Sequence, residues 1–333
     1  MPVAPDPPAF RVLLTDRAWP DADIERQILA EVGAELIEAP SHDETTLCRL
    51  AADVDAIAAT WAPVTPNVLA AAPRCRVVAR LGIGLDNIAV DAATARGILV
   101  TNVPDYCVGE AADHALALLL AAARNIAFFH FRTKQGEYQL SAGPPVRRLA
   151  GQTLGLFGLG KIARNLVPKA RALGLRLIAH SLSGNHHGTG CEMVSLEALL
   201  HQSDFISLHA PLTQATRQAF GLAQFEQMRR TAWLINTSRG GLVEHEALWT
   251  ALQRGLIAGA ALDVFEPEPP DLSHPLFHDE RVVVTPHAAF ASVEALQELR
   301  RRACGQIVAV LRGERPENVV NPAVYDAASR PAG

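Results

Sequence analysis

The chain contains no pair of cysteines spaced C-x-x-C; its five, Cys48, Cys75, Cys107, Cys191 and Cys304, are scattered. That excludes a disulfide framework and a zinc site, and points to a reducing compartment, the cytoplasm. It lacks an excess of positive charge too. A formal net charge of −5 speaks against nucleic acid as a partner. Long apolar runs are missing as well. The longest, ALALLLAAA at 115–123, lies between His114 and Arg124 and falls far short of the roughly 20 residues that span a bilayer, so no membrane partner is expected. The start, MPVAPDPPAF, has four prolines but neither the basic nor the apolar stretch of a signal peptide. What is present, 49% apolar and 20% charged residues over 333 positions, suits a soluble chain of two ordinary domains.

Short apolar runs alternate with longer helical patterns. RVLLT (11–15), AELIE (34–38), DAIAAT (55–60) and RVVAR (76–80) predict strands. DADIERQILAEVG, DETTLCRLAA and TPNVLAAAP between them carry helix-start residues and apolar positions at the helical period. This alternation predicts a parallel sheet with helices on both faces. From Gly151 the pattern starts afresh. TLGLFG (153–158), LRLIAH (175–180), DFISLH (204–209), AWLIN (232–236), IAGAALDV (257–264) and VVVTP (282–286) are six strand candidates, and the last reads as a buried strand. Six parallel strands opened by a glycine-rich turn suit a doubly wound nucleotide-binding domain. The helical stretches near 107–125 and 291–312 lie outside both series and read as the connections between domains. The expected fold class is α/β with two doubly wound parallel sheets. A dinucleotide-binding Rossmann domain over 105–290 is inserted in a discontinuous, flavodoxin-like substrate-binding domain of 1–104 and 291–333. Two independent sequential domains would carry the same periodicities.

The first strand of the second series runs into Gly158-x-Gly160-x-x-Ala163 and then a helical pattern. Gly158 permits the tight turn, Gly160 lets a pyrophosphate approach the backbone, and Ala163 keeps helix and strand close. The N–H groups near Lys161 and Ile162 then face the phosphates. A bare tight turn is the alternative. The fingerprint expects an acid about 20 residues further on to hold the ribose hydroxyls. Here the next strand ends LIAHSLSGNHHG, and Ser181 stands in the acid's place. A carboxylate repels a 2′-phosphate, whereas a serine bonds to either cofactor, so NAD and NADP both stay open. His180, His186 and His187 could add positive charge, but read first as loop residues in solvent.

Three segments lie at or just past strand ends of this domain: INTSRGGLVEHEAL, ALDVFEPEPP and TPHAAF. Doubly wound folds bring such ends to one crevice. Arg239, Glu268 and His287 are thereby one cation, one carboxylate and one imidazole delivered together. Oxidation of an alcohol beside a carboxylate needs that trio. His287 takes the hydroxyl proton as a hydride leaves for the nicotinamide. Glu268, bonded to the other ring nitrogen, orients the ring and favours its protonated form. Arg239 holds the substrate carboxylate with a planar fork that lysine lacks. Each residue alone reads equally as a surface ion pair or a cap.

Seven segments in order resemble the D-isomer-specific 2-hydroxyacid dehydrogenases, the family of phosphoglycerate dehydrogenase, glyoxylate/hydroxypyruvate reductase and C-terminal binding protein. They are RLGIGLDNI (80–88), NVPDYCVGEAADHALALLLAAAR (102–124), GQTLGLFGLGKIA (151–163), HAPLTQATR (209–217), INTSRGGLVEHEAL (235–248), GAALDVFEPEP (259–269) and TPHAAF (285–290). The resemblance implies the same roles for Arg239, Glu268 and His287. It also implies that the backbone of Leu81, Gly82, Ile83 and Gly84 faces the substrate carboxylate. Asp263 would bind the nicotinamide carboxamide, with Ala289 close by. His209, Ala210, Pro211 and Thr216 would lie along the dinucleotide, and Thr237 and Ser238 near the ribose.

RLGIGLDNI and TPHAAF look most like the C-terminal binding protein branch and its bacterial relatives. There the residue matching Arg80 reaches the substrate carboxylate, and the one matching Phe290 is a tryptophan lining the pocket. Phe290 leaves more space. Ser181 for the usual aspartate and Ala163 for the usual third glycine are further departures. The family implies a homodimer. Reversible reduction of a small 2-oxo acid such as glyoxylate or hydroxypyruvate to a D-2-hydroxy acid is the leading expectation. A cofactor-sensing corepressor with little turnover is the alternative on the same fold. The intact trio, and a chain that ends soon after its last helix with no long interaction tail, favour the enzyme.

Overall fold

The strands are short aliphatic runs, and every strand pair among the described residues is parallel. The computed structural model describes residues 8–328, so most of the proline-rich start and the last five residues lie outside the described residues. Along the chain come β1 (Phe10–Leu14), α1 (Asp23–Leu29), β2 (Ala34–Glu38), α2 (Glu44–Ala51), β3 (Ala56–Ala59), α3 (Pro66–Ala70), β4 (Val77–Arg80), α4 (Val90–Ala95), β5 (Leu99–Thr101), α5 (Val108–Ala123) and α6 (Ile126–Lys134). Then follow β6 (Thr153–Phe157), α7 (Lys161–Ala172), β7 (Arg176–His180), β8 (Glu192–Met193), α8 (Leu196–Gln202), β9 (Phe205–Leu208), α9 (Leu222–Gln227), β10 (Trp233–Asn236), α10 (His245–Gln253), β11 (Gly259–Leu262), β12 (Val282–Val284), α11 (Val293–Leu311) and α12 (Ala323–Ala328). Two units result, residues 8–106 with 292–328 and residues 107–291.

In the first unit the strand order is β2-β1-β3-β4-β5, the flavodoxin-like arrangement. Leu13, Ile57, Val78 and Val100 from four of its strands share one apolar cluster. Asp43 and Thr65 start α2 and α3 by accepting from the Thr46 and Val68 N–H groups, satisfying donors that a helix start leaves open. The C-terminal segment completes this unit. Val100 N–H donates to Asn321 Oδ1 at 2.7 Å, and α11 packs on α1, β3 and β4. On that helix Arg300 donates to both carboxylate oxygens of Glu25, at 2.8 and 2.6 Å. The two side chains are 8% and 0% exposed.

In the second unit the order is β12-β11-β10-β9-β6-β7-β8, a doubly wound sheet whose direction of winding reverses between β6 and β9. One face carries Phe220, Phe225 and Leu248. The other carries Leu119 of α5 and Leu166 of α7. Burial on both faces explains why its central strands read as continuous aliphatic runs.

Several expectations change. VVVTP is not buried: among the described residues β12 pairs only with β11, at the sheet edge, and Val284 is 40% exposed. The helical stretches near 107–125 and 291–312 begin where the chain passes from one unit to the other, and each also packs, α5 within the second unit and α11 within the first. Two strands, β5 and β8, escaped the sequence, giving five and seven instead of four and six. Among the described residues no single helix is long and apolar enough to cross a membrane. Only α5 and α6 together pass that test, as a pair bent by 64°.

Candidate active site

At the β6–β9 reversal the turn after β6 holds Gly158 at φ 94°. A Cβ there would stand 2.7 Å from the Ala210 nitrogen and 2.8 Å from the His209 carbonyl carbon, so the protein itself demands glycine. Gly160 is different. Its φ of −74° suits any residue, and a Cβ would meet nothing within 4 Å. Its smallness serves no packing inside the chain and leaves room beside the start of α7. That helix has no side-chain cap, so the N–H groups at Lys161 and Ile162 form the positive end that a pyrophosphate needs. Ala163 is fully buried under α7. The Thr237 hydroxyl, buried without a hydrogen-bond partner, is a further polar atom whose setting fits a ligand here.

The surrounding loops are tied to one another. Ser238 Oγ donates to the Ala210 carbonyl at 2.7 Å. Thr216 Oγ1 donates to the Pro211 carbonyl at 2.6 Å and accepts from the Thr213 N–H, so its hydroxyl shapes its own loop. His209 Nε2 lies 2.9 Å from Ser207 Oγ. Burial pushes its imidazole down to about 4, which leaves the ring neutral at neutral pH. Ser181 directly follows β7, and its Oγ lies 3.4 Å from Ser183 Oγ. His180 before it stacks on Phe157 and contacts the Val194 carbonyl through Nδ1. His186 and His187 are exposed.

His287 Nδ1 sits 2.6 Å from Glu268 Oε2, with the side chains 26% and 30% exposed. Glu268 is aimed by its other oxygen, which accepts from the Phe265 N–H at 2.8 Å. The Phe290 ring meets the imidazole edge-on, centroids 5.9 Å apart. His287 has φ 51°, a left-handed conformation costing about 1–2 kcal/mol for a residue with a Cβ. Asp263 holds it there. The N–H groups of His287, Ala288 and Ala289 converge on that one residue, the first on its carbonyl at 2.8 Å and the others on its carboxylate at 2.8 and 2.9 Å. Successive N–H groups around an anion make a nest. Asp263 is fully buried. Burial pushes its carboxyl up, but hydrogen bonds from His114, Thr285 and the two backbone N–H groups outweigh that and hold it below the usual carboxylate range. Its hydrogen bonds carry the turn bearing His287 and Ala289.

Arg239 is placed by Asn236, a residue the sequence reading passed over although it lies within the quoted INTSRGG. Asn236 is 1% exposed; its Nδ2 donates to the Arg239 carbonyl and its Oδ1 accepts from Ser238 N–H. Arg239 Nη1 donates to the Ser238 carbonyl at 2.7 Å. Gly240 allows this, because a Cβ would fall 2.0 Å from the Phe265 carbonyl carbon.

In the first unit Arg80, 8% exposed, lies folded over its own loop. Nε donates to Asn87 Oδ1 at 3.1 Å and Nη1 to the Leu81 carbonyl. A Cβ on Gly82 would meet the guanidinium at 2.4 Å. The carbonyls of Gly82 and Ile83 accept from Val103 N–H and Asn102 Nδ2, and Gly84 follows in the same loop. Asn87 also donates to the Thr60 and Ala62 carbonyls, tying the Arg80 loop to the turn after β3.

A doubly wound unit with a helix start free of any side-chain cap at its reversal and a carboxylate–imidazole pair past its strand ends suits a nicotinamide-linked oxidoreductase. Comparison with known proteins narrows this. Residues 116–289 match the model of the D-isomer specific 2-hydroxyacid dehydrogenase, NAD binding domain. A glyoxylate reductase of Korarchaeum cryptofilum is 40% identical over 303 residues, 89% of this chain and 90% of that one. An NADPH-dependent glyoxylate/hydroxypyruvate reductase of Sinorhizobium meliloti, solved with NADP and malonate, superposes with a TM-score of 0.84 at 30% identity, covering 93% of this chain and 96% of that one. D-lactate dehydrogenase from Aquifex aeolicus, solved with NAD and lactic acid, gives 0.86 at 26%, covering 93% and 99%. The chain belongs to the D-isomer-specific 2-hydroxyacid dehydrogenase family. It is an enzyme linking 2-oxo and 2-hydroxy acids through a nicotinamide cofactor.

Proposed function

We propose that this enzyme reduces glyoxylate and hydroxypyruvate to their 2-hydroxy acids, with His287 as the acid/base. The Glu268–His287 pair at 2.6 Å carries this reading. The nicotinamide, when bound, supplies the hydride. With Nδ1 engaged by Glu268, Nε2 of His287 is the atom that gives a proton to the substrate oxygen in reduction and takes it back in oxidation. The carboxylate orients the ring and balances its charge when protonated. Arg239 polarises the carbonyl and holds the substrate carboxylate with its planar fork. Phe290, set against the imidazole, walls the reacting carbon and leaves space for a hydroxymethyl substituent.

The α7 start, the 209–211 and 237–238 loops and Gly160 would hold the dinucleotide. Ser181 supplies no charge to repel a 2′-phosphate, so NADPH is accepted alongside NADH. Relatives named glyoxylate reductase, and a neighbour solved with NADP, support both parts. A homodimer is part of this proposal: Ile126, Phe131, Tyr138 and Leu140, each at least half exposed, present apolar surface on one stretch of the second unit. Five cysteines with no disulfide among the described residues suit the cytoplasm. Initial rates with NADH and NADPH against glyoxylate, hydroxypyruvate and pyruvate test the proposal. Cofactor binding without turnover of any of them would overturn it in favour of a sensing protein.

A further inference from the structure

His114 lies on α5, whose Ala111, Ala112, Ala115, Leu118, Leu119 and Ala122 are buried, and has no place in the chemistry described above. Its Nε2 is 2.9 Å from Thr285 Oγ1 and 3.4 Å from Asp263 Oδ1. The Thr285 hydroxyl in turn donates to Asp263 Oδ1 at 2.5 Å. That proton is spent, so the hydroxyl oxygen accepts, and His114 Nε2–H is the donor. The buried carboxylate is thereby served by two backbone N–H groups of the His287 turn, one hydroxyl and one imidazole. A carboxylate this deep is costly unless its oxygens are bonded, and the left-handed backbone of His287 persists only where surrounding contacts over-determine it.

We infer that His114 is a positioning residue for the acid/base, pinning the Thr285–Asp263 clamp to α5 and so fixing where the His287 ring stands. The inference rests on the proposed role of His287. Without the His114 bond the Thr285 hydroxyl can rotate and the nest loses its anchor on the helix. The imidazole still binds Glu268, but from a turn that wanders. A displacement of about 1 Å at a reacting group can cost a hundredfold in rate.

His114→Leu and His114→Gln are the test pair, because a glutamine amide can place an N–H where the imidazole Nε2 stood. The leucine variant is expected to lose ten- to a hundredfold in kcat, with KM for the 2-oxo acid and cofactor Kd within about twofold; glutamine should recover most of the loss. A leucine variant with unchanged kcat, or a glutamine variant no better than leucine at equal Tm, would overturn the inference. Should the leucine variant fail to fold, Thr285→Val against Thr285→Ser reads the same link with the same expected and contrary results. The His287 ring signal in NMR of the cofactor-free protein gives a readout independent of turnover. It should broaden or shift in His114→Leu and return in His114→Gln. An unchanged signal overturns the inference even if the enzyme proves inactive, while turnover retained in His287→Gln overturns the parent reading alone.

Discussion

Two carboxylate contacts of equal length, one in each unit, serve opposite ends. Arg300 and Glu25 meet at 2.6 Å, almost fully buried, with Asp21 and the Trp19 ring also on the guanidinium. Glu268 and His287 meet at 2.6 Å with a quarter or more of each side chain exposed. Distance therefore says little about purpose. Arginine keeps its charge at every relevant pH, and its burial makes the pair a fixed part of the fold. Histidine is the residue type suited to passing a proton near neutral pH, and on the proposed function the partial exposure of His287 is what admits the substrate. The first pair resists change; the second, on the proposed function, undergoes it.

Breaking each pair should therefore read out differently. His287→Gln is expected to lower kcat for 2-oxo acid reduction by about a thousandfold, within the range for losing a general acid. Denaturation midpoint and dinucleotide affinity should stay nearly unchanged; a retained rate would refute the assignment. Glu25→Ala leaves a buried cation and should cost about 3–5 kcal/mol in urea unfolding, whereas Glu25→Leu with Arg300→Met should recover most of it. Turnover per folded molecule should not move in either. His209 sharpens the contrast, being an imidazole that burial alone governs. Unfolded, it takes a proton below about pH 6.5, yet in the fold it does so only near 4. Stability is thus unaffected above about 6.5 and falls as pH drops toward 4, by at most about 3 kcal/mol. His209→Asn should flatten that part of the pH–stability curve, and an unchanged slope would contradict it. The smallest effect concerns a charge that is missing: Ser181→Asp should shift the NADH/NADPH rate ratio by about tenfold toward NADH, since a carboxylate repels the 2′-phosphate. An unmoved ratio would mean that Ser181 does not face the ribose.

The sequence showed what depends on neighbours along the chain. The glycine turn was legible because Gly158 and the start of α7 are contiguous, and the central strands because burial on both faces leaves nothing but aliphatic residues. VVV could not disclose its edge position, since three β-branched residues look alike with one partner strand or two. β8 has two residues, Glu192 and Met193, and no apolar run to find. The role of His114 was out of reach, because its partner Thr285 is 171 positions away and nothing local marks the bond. Asp263 was noticed, but its buried nest emerges only when the 287–289 turn folds back onto it.

The first unit is assembled from both ends of the chain, and this has a consequence for synthesis. At about 5–20 residues per second, the segment from residue 292 leaves the ribosome roughly ten to forty seconds after Tyr106. Throughout that interval the early strands must wait for α11, with the apolar surface on β3 and β4 uncovered and Glu25 lacking its cation. The inserted unit, being continuous, can complete itself first. A nascent chain interrupted near residue 291 would thus carry one finished unit and one still missing the helix that covers it.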